Sequence, residues 1–205
     1  ECSSLIGGFK WLFTYVRGNA GYHRWNGLKY FLFEFEEHIH QQDYSNDFAI
    51  ISWDKFFETS IEHIMPRNYQ DYWSDTMSNY LSQKSFSEEE RYMAIKTLLN
   101  SLGNLTIIRG NKNSSLGNNP WKTKVQAYAN GSFSERQISS KIEWHPWSAE
   151  SILNRGKLLL KYLLDYLGVV IIAEEIKETY EAEMLFGALK YVPGTANEAE
   201  ANSEA

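Results

Sequence analysis

Apolar positions recur at helical spacing along much of the chain. Leu5, Phe9, Leu12, Phe13 and Val16 predict a helix over 4–17 that ends near Gly18. Leu28, Phe31, Leu32 and Phe35 give a stronger helical pattern over 24–40, followed by a turn and a short apolar run over 46–51. Between 56 and 64 the pattern alternates loosely instead. That predicts a strand running into Met65 and Pro66, where proline ends it. Two helices follow in an excursion over 67–101. One lies around 71–81; the other starts at Ser87, which has a capping-box spacing to Glu90, and runs to about Asn100. The β-branched run 105–108 predicts a second short strand. Residues 111–119 are polar and read as a loop, and 120–128 as a helix with proline at a permitted first position. Residues 130–146 carry little signal. Ser148 caps a long amphipathic helix to Leu167, stopped by Gly168, and a further helix covers about 173–189. From Pro193 onward the residues are small, polar and acidic, and disorder is expected.

These elements predict a mainly helical α+β fold, with helices around a small two-stranded unit. Hydrophobic residues make up 43% of the 205 positions and aromatics 15%, enough for a packed core. The most apolar stretch, 158–172, is interrupted by Lys161 and Asp165, so no membrane span is expected. The chain shows no secretory signal and no initiator methionine, which fits a cytoplasmic protein and leaves room for a longer one. The single cysteine, Cys2, excludes a disulfide framework and a multi-cysteine zinc cluster, so no structural zinc is expected. The net charge of −6 argues against nucleic acid until it is located. Eight acids and two lysines lie between Glu174 and the end, so the first 173 residues sum to zero. Residues 91–134 hold six basic residues and no acid, a stretch suited to a phosphate-binding face.

The candidate chemistry lies in three short segments. Residues 60–66 read Ser-Ile-Glu-His-Ile-Met-Pro, residues 102–106 Leu-Gly-Asn-Leu-Thr, and Asn113 follows Asn104 by nine positions. Phosphodiester hydrolysis needs an activated water, charge neutralisation at phosphorus and help for the leaving oxygen. His63 is a candidate to take the proton from water, because a histidine titrates near neutrality. Glu62 and the amide oxygen of Asn113 are candidate ligands for one hard divalent cation, Mg²⁺ or Mn²⁺. Asn104 would either hold the imidazole of His63 or support the loop. Adjacent side chains on a strand face opposite ways, so joint action by Glu62 and His63 requires a bend or bulge. Taken singly, each segment has a plain structural explanation: a strand-end histidine, a Gly-Asn turn, an Asn-rich loop. Glu34 and His38 are four apart on a helix and read as a solvated face. Trp121, beside Lys122, could stack on a base or sugar. A Walker loop and a serine nucleophile elbow are both absent from the sequence.

Glu62 to Pro66, Leu102 to Thr106, and Asn113 to Asn118 followed by Trp121 and Lys122 resemble the His-Asn-His (HNH, ββα-metal, His-Me finger) nuclease domain at the C-terminal end of GmrSD-type, modification-dependent restriction enzymes. Trp147 and Arg155 resemble the end of that domain. The resemblance implies a ββα-metal core over 55–128 with a helical insertion over 67–101. Helical parts over 1–54 and 129–190 would flank it, and an acidic tail over 191–205 would follow. It implies His63 as general base, Asn104 as the residue that positions it, and Glu62 and Asn113 as ligands of one Mg²⁺ or Mn²⁺. Lys122 and Lys124 would contact phosphate, Asn118 would support the loop, and Arg109 and Lys112 would extend the nucleic-acid face. The implied activity is metal-dependent DNA endonucleolytic cleavage in a bacterial restriction or phage-defence protein. Its substrate would be modified DNA, delivered by an N-terminal nucleotide-hydrolysing sensor domain that this chain does not contain. A catalytically silent DNA-binding or interaction module on the same scaffold, and a ribonuclease, remain as alternatives.

Overall fold

A computed structural model of the chain describes residues 21–42, 51–168 and Leu185. The helices expected over 4–17 and 173–189, most of the run 46–51 and the acidic tail lie outside them. Among the described residues the order is α1 (Leu28–Gln42), β1 (Thr59–His63), α2 (Ser74–Ser82), α3 (Glu88–Leu99), β2 (Leu105–Arg109), α4 (Gly110–Leu116), α5 (Trp121–Tyr128), α6 (Phe133–Ser140) and α7 (Ala149–Tyr166). These residues are mainly helical, with one small antiparallel sheet.

β1 and β2 pair from Thr59 with Arg109 to His63 with Leu105. The first half of the strand expected over 56–64 is instead a 3₁₀ turn, Trp53–Glu58, so pairing begins only at Thr59. β2 is buried from Leu105 to Ile108, as a run of apolar and β-branched residues between packed layers should be. Helices α1 and α6 pack against β2, and α4 lies across both strands. Ile107, Ile108, Leu32 and Phe35 belong to the same core cluster, and each such side chain contributes about 1.5–3 kcal/mol by burial.

Two helix starts follow the expected capping chemistry. Ser87 Oγ accepts from Glu90 N–H at 3.2 Å while Glu90 accepts from Ser87 N–H at 2.9 Å. Ser148 Oγ accepts from Ser151 N–H at 3.2 Å and opens α7. Two further helices depart from expectation. The segment read as a polar loop, 111–119, is largely α4. Residues 133–140, within the weakly signalled region, form α6, opened by a Ser132–Glu135 capping box. The first two amides of α6 donate to the buried carboxylate of Glu36 on α1.

α7 closes the fold over the 3₁₀ turn Leu102–Asn104. Gly103 is required there, because a Cβ would come 1.8 Å from the Ile152 carbonyl oxygen. Fully buried Arg155 donates to the carbonyls of Gly103 and Leu105, both at 2.8 Å. The turn that leads into β2 is thereby fixed from the side of α7. Among the described residues no helix is long and apolar enough to cross a membrane.

Candidate functional site

β1 carries Glu62 and His63 at its C-terminal end, opposite Thr106 and Leu105. The register is continuous, so the bulge expected from their joint action is absent. The two side chains leave the strand toward different partners, as neighbouring residues on a regular strand must.

Glu62 turns into the protein. Its Oε1 accepts from Lys124 Nζ at 2.6 Å and from the Tyr128 hydroxyl at 3.2 Å. Lys124 Nζ also donates to the His63 carbonyl at 3.0 Å. Lys124 and Tyr128 are fully buried and Glu62 nearly so. Burial pushes the Glu62 carboxyl above its ordinary value, opposed by the lysine charge. Burial likewise lowers Lys124, opposed by Glu62. The sequence places Lys124 among the phosphate contacts, but its ammonium is committed to Glu62 and presents nothing to solvent.

His63 faces a different set. Its Nε2 lies 3.2 Å from Asn100 Oδ1, and its ring centroid lies 4.5 Å from that of His23. With Asn100 presenting an oxygen, Nε2 carries the hydrogen and Nδ1 keeps the lone pair. Burial lowers His63 to about 3. The charges of His23, Arg67 and Lys124 act in the same direction, and the bond to Asn100 opposes them. The imidazole is therefore neutral at pH 7, and burial leaves it a weaker proton acceptor than the free histidine the sequence suggests.

Asn104 does not touch the imidazole. Its Oδ1 accepts from Met65 N–H at 2.8 Å and Trp147 Nε1 at 3.3 Å, and its Nδ2 donates to the carbonyls of Met65 and Leu99, both at 2.9 Å. Of its two expected roles, this geometry is loop support. The side chain clamps the exit of β1 against the end of α3.

α4 brings Asn113 over β1. Asn113 Nδ2 donates to Ser60 Oγ at 2.8 Å and to the Ile61 carbonyl at 3.0 Å. An open pocket of about 600 Å³ is lined by Glu62, His63, Asn113 and Asn118 together. Four residues singled out from separate sequence segments thus border one space. The other candidates lie elsewhere. Arg109 borders a second pocket with Lys55 and Glu58. Lys112 pairs with Glu135 and donates to the Ala127 carbonyl at 2.8 Å. Lys122 is exposed on α5.

His23 and Arg67 also line the pocket, and Asn100 holds His63. None of the three stands out in the sequence. Arg67 follows the Glu-His-Ile-Met-Pro segment directly, which is the one local signal. His23 and Asn100 depend on how the segment before α1 docks at the end of α3. Among the described residues no three His, Cys, Asp or Glu side chains converge as a metal-ligand group. Any cation at this site would therefore rely on amide oxygens and water as well as carboxylate.

No curated protein and no solved structure matches the chain. A family match does exist, and it covers residues 12–162, from before α1 to near the end of α7. Both strands, the pocket and most of α7 fall within it, and by this match the chain belongs to the family of GmrSD restriction endonucleases, C-terminal domain.

Proposed function

We propose that this chain is the DNA-cleaving domain of a modification-dependent restriction system, and that β1, β2 and α4 form its ββα-metal core. The observation that carries this is the common pocket of Glu62, His63, Asn113 and Asn118. His63 Nδ1 takes the proton of the attacking water, and Asn100 fixes the tautomer that leaves Nδ1 free to do so. Glu62 and Asn113 would hold one Mg²⁺ or Mn²⁺. Both border the same pocket; Glu62 Oε1 is engaged by Lys124 and Tyr128, so its second carboxylate oxygen is the one that would meet the cation, and Mg²⁺ takes one or two carboxylates while keeping several waters. Asn113 commits its amide nitrogen to β1, so its oxygen is the atom left for a cation. When bound, the cation supplies charge neutralisation at the scissile phosphate. Asn118, Lys122 and Arg109 would extend the contact along DNA, while Lys112 is held by Glu135 and the Ala127 carbonyl. An N-terminal nucleotide-hydrolysing sensor domain would deliver the modified substrate.

The test is plasmid nicking with and without Mn²⁺, run beside His63→Ala. The expected outcome is metal-dependent nicking that the variant loses. Nicking that survives in His63→Ala removes the base assignment.

One observation favours a second function, a silent DNA-binding module. Lys124 sits 2.6 Å from Glu62 and already supplies a positive charge to the carboxylate. This alternative predicts DNA affinity that falls with salt and no strand breaks under any metal.

A further inference from the structure

The pocket has a second side, built from residues outside the three motifs. Tyr22 N–H donates to the backbone oxygen of Asn100 at 2.8 Å. Gly21 precedes it at φ +115°, where a Cβ would come 2.5 Å from that same oxygen. The segment before α1 is thereby pinned to Asn100, and this puts His23 beside the pocket. The side chain of Asn100 meanwhile holds His63. One residue sets both histidines, whose rings lie 4.5 Å apart.

Arg67 borders the same pocket from the exit of β1 and is exposed. Among the described residues it has no carboxylate partner. Burial, and after it the charge of Arg67, disfavours protonation of His23. Among the described residues Glu62 is the one acid lining the pocket, and Lys124 pairs with it. Among the described residues this side of the pocket therefore carries a fixed positive charge and two imidazoles, with no acid left unpaired.

We propose that His23 and Arg67 form a phosphate-binding wall, and that Asn100 is the residue positioning it. The ligand class is a phosphodiester or phosphate group of a nucleic acid. A guanidinium takes two phosphate oxygens in its fork, and a neutral imidazole N–H donates to a third. The inference rests on the nucleolytic function proposed above, but it assigns the grip on phosphate to residues that the motifs do not contain. Arg67 and His23 bind and orient, while His63 accepts the proton.

The experiment follows the His23 ring proton signal by NMR in the whole chain, titrated with inorganic phosphate in metal-free buffer. Anisotropy of a short labelled DNA duplex, also without metal, is measured across a salt series. The expected result is a saturable shift of the His23 signal. Arg67→Gln is expected to weaken both ligands about tenfold and to reduce the salt slope of DNA binding by about one. His23→Gln is expected to raise KM for nicking more than it lowers kcat. Arg67 is exposed, so its variant should keep the thermal midpoint of the parent, which separates a binding defect from unfolding. Unchanged phosphate and DNA affinity in Arg67→Gln overturns the wall, even if the parent nicks plasmid. A saturable shift lost in Arg67→Gln, in a parent that nicks nothing, supports the wall while the nuclease assignment falls.

Discussion

Asn100 and Asn104 are four positions apart, at the end of α3 and in the turn before β2, and both lean on the exit of β1. Asn104 is fully buried and its side chain makes four hydrogen bonds, three of them to backbone groups. Asn100 is half-buried, and its side chain makes one bond of 3.2 Å, to a histidine bordering an open pocket. The same side chain thus serves two ends. Where every polar atom is paired and dry, it fixes the backbone. Where one contact faces a pocket, it fixes a tautomer. The motif asparagine does the first job, and the second falls to a residue that no motif marks.

The sharpest way to break this comparison is Asn104→Ala. It leaves the Met65 amide and carbonyl, the Leu99 carbonyl and the Trp147 indole without their partner, a loss of roughly 4 kcal/mol. Urea unfolding measures it; a loss below about 1 kcal/mol would mean that water replaces the clamp. Next in size is Lys124→Met, which strands the Glu62 carboxylate in the interior and costs about 3 kcal/mol. Adding Glu62→Gln should restore most of that stability, because the uncompensated charge is gone. A double variant no more stable than the single one would show that packing, not charge, sets the cost. The smallest effect on stability is expected for Asn100→Ala, about 1 kcal/mol, since its backbone oxygen still holds Tyr22. Under the proposed nuclease function its effect on activity runs the other way: nicking should fall about tenfold, the lower end of what losing an orienting partner costs at a metal site. A variant that loses stability as Asn104→Ala does, or that nicks at the parental rate, would erase the distinction between the two asparagines.

The fold was legible where local chemistry and tertiary packing agree. The capping box at Ser87, the serine start of α7 and the β-branched run of β2 appear as expected. α4 was not legible. Gly-Asn-Lys-Asn-Ser-Ser-Leu has little apolar periodicity, and this helix is held by Asn113 docking on β1 and by buried Leu116. α6 did carry a signal in Ser132 and Glu135, but its other anchor is Glu36, far away in sequence on α1. The candidate site divides in the same way. Glu62 and His63 lie on β1, Asn113 on α4 and Asn118 in the loop beyond it, so their meeting follows once α4 docks on the paired strands. The burial of Lys124 and the approach of His23 depend on packing between distant elements, which spacing along the chain does not encode.

The antiparallel pair is unusual in its connection. Met65 and Asn104, the two halves of the clamp, are 39 residues apart, with α2 and α3 between them. Closing such a loop costs entropy that grows only with the logarithm of its length, about 0.6 kcal/mol for each doubling. The exposed turn after Ser82 can therefore lengthen at little thermodynamic expense, while the clamp keeps both ends of the excursion in place. Insertions at that turn, away from the pocket residues Arg67, Asn68 and Gln70 at the start of the excursion, can add surfaces for other partners.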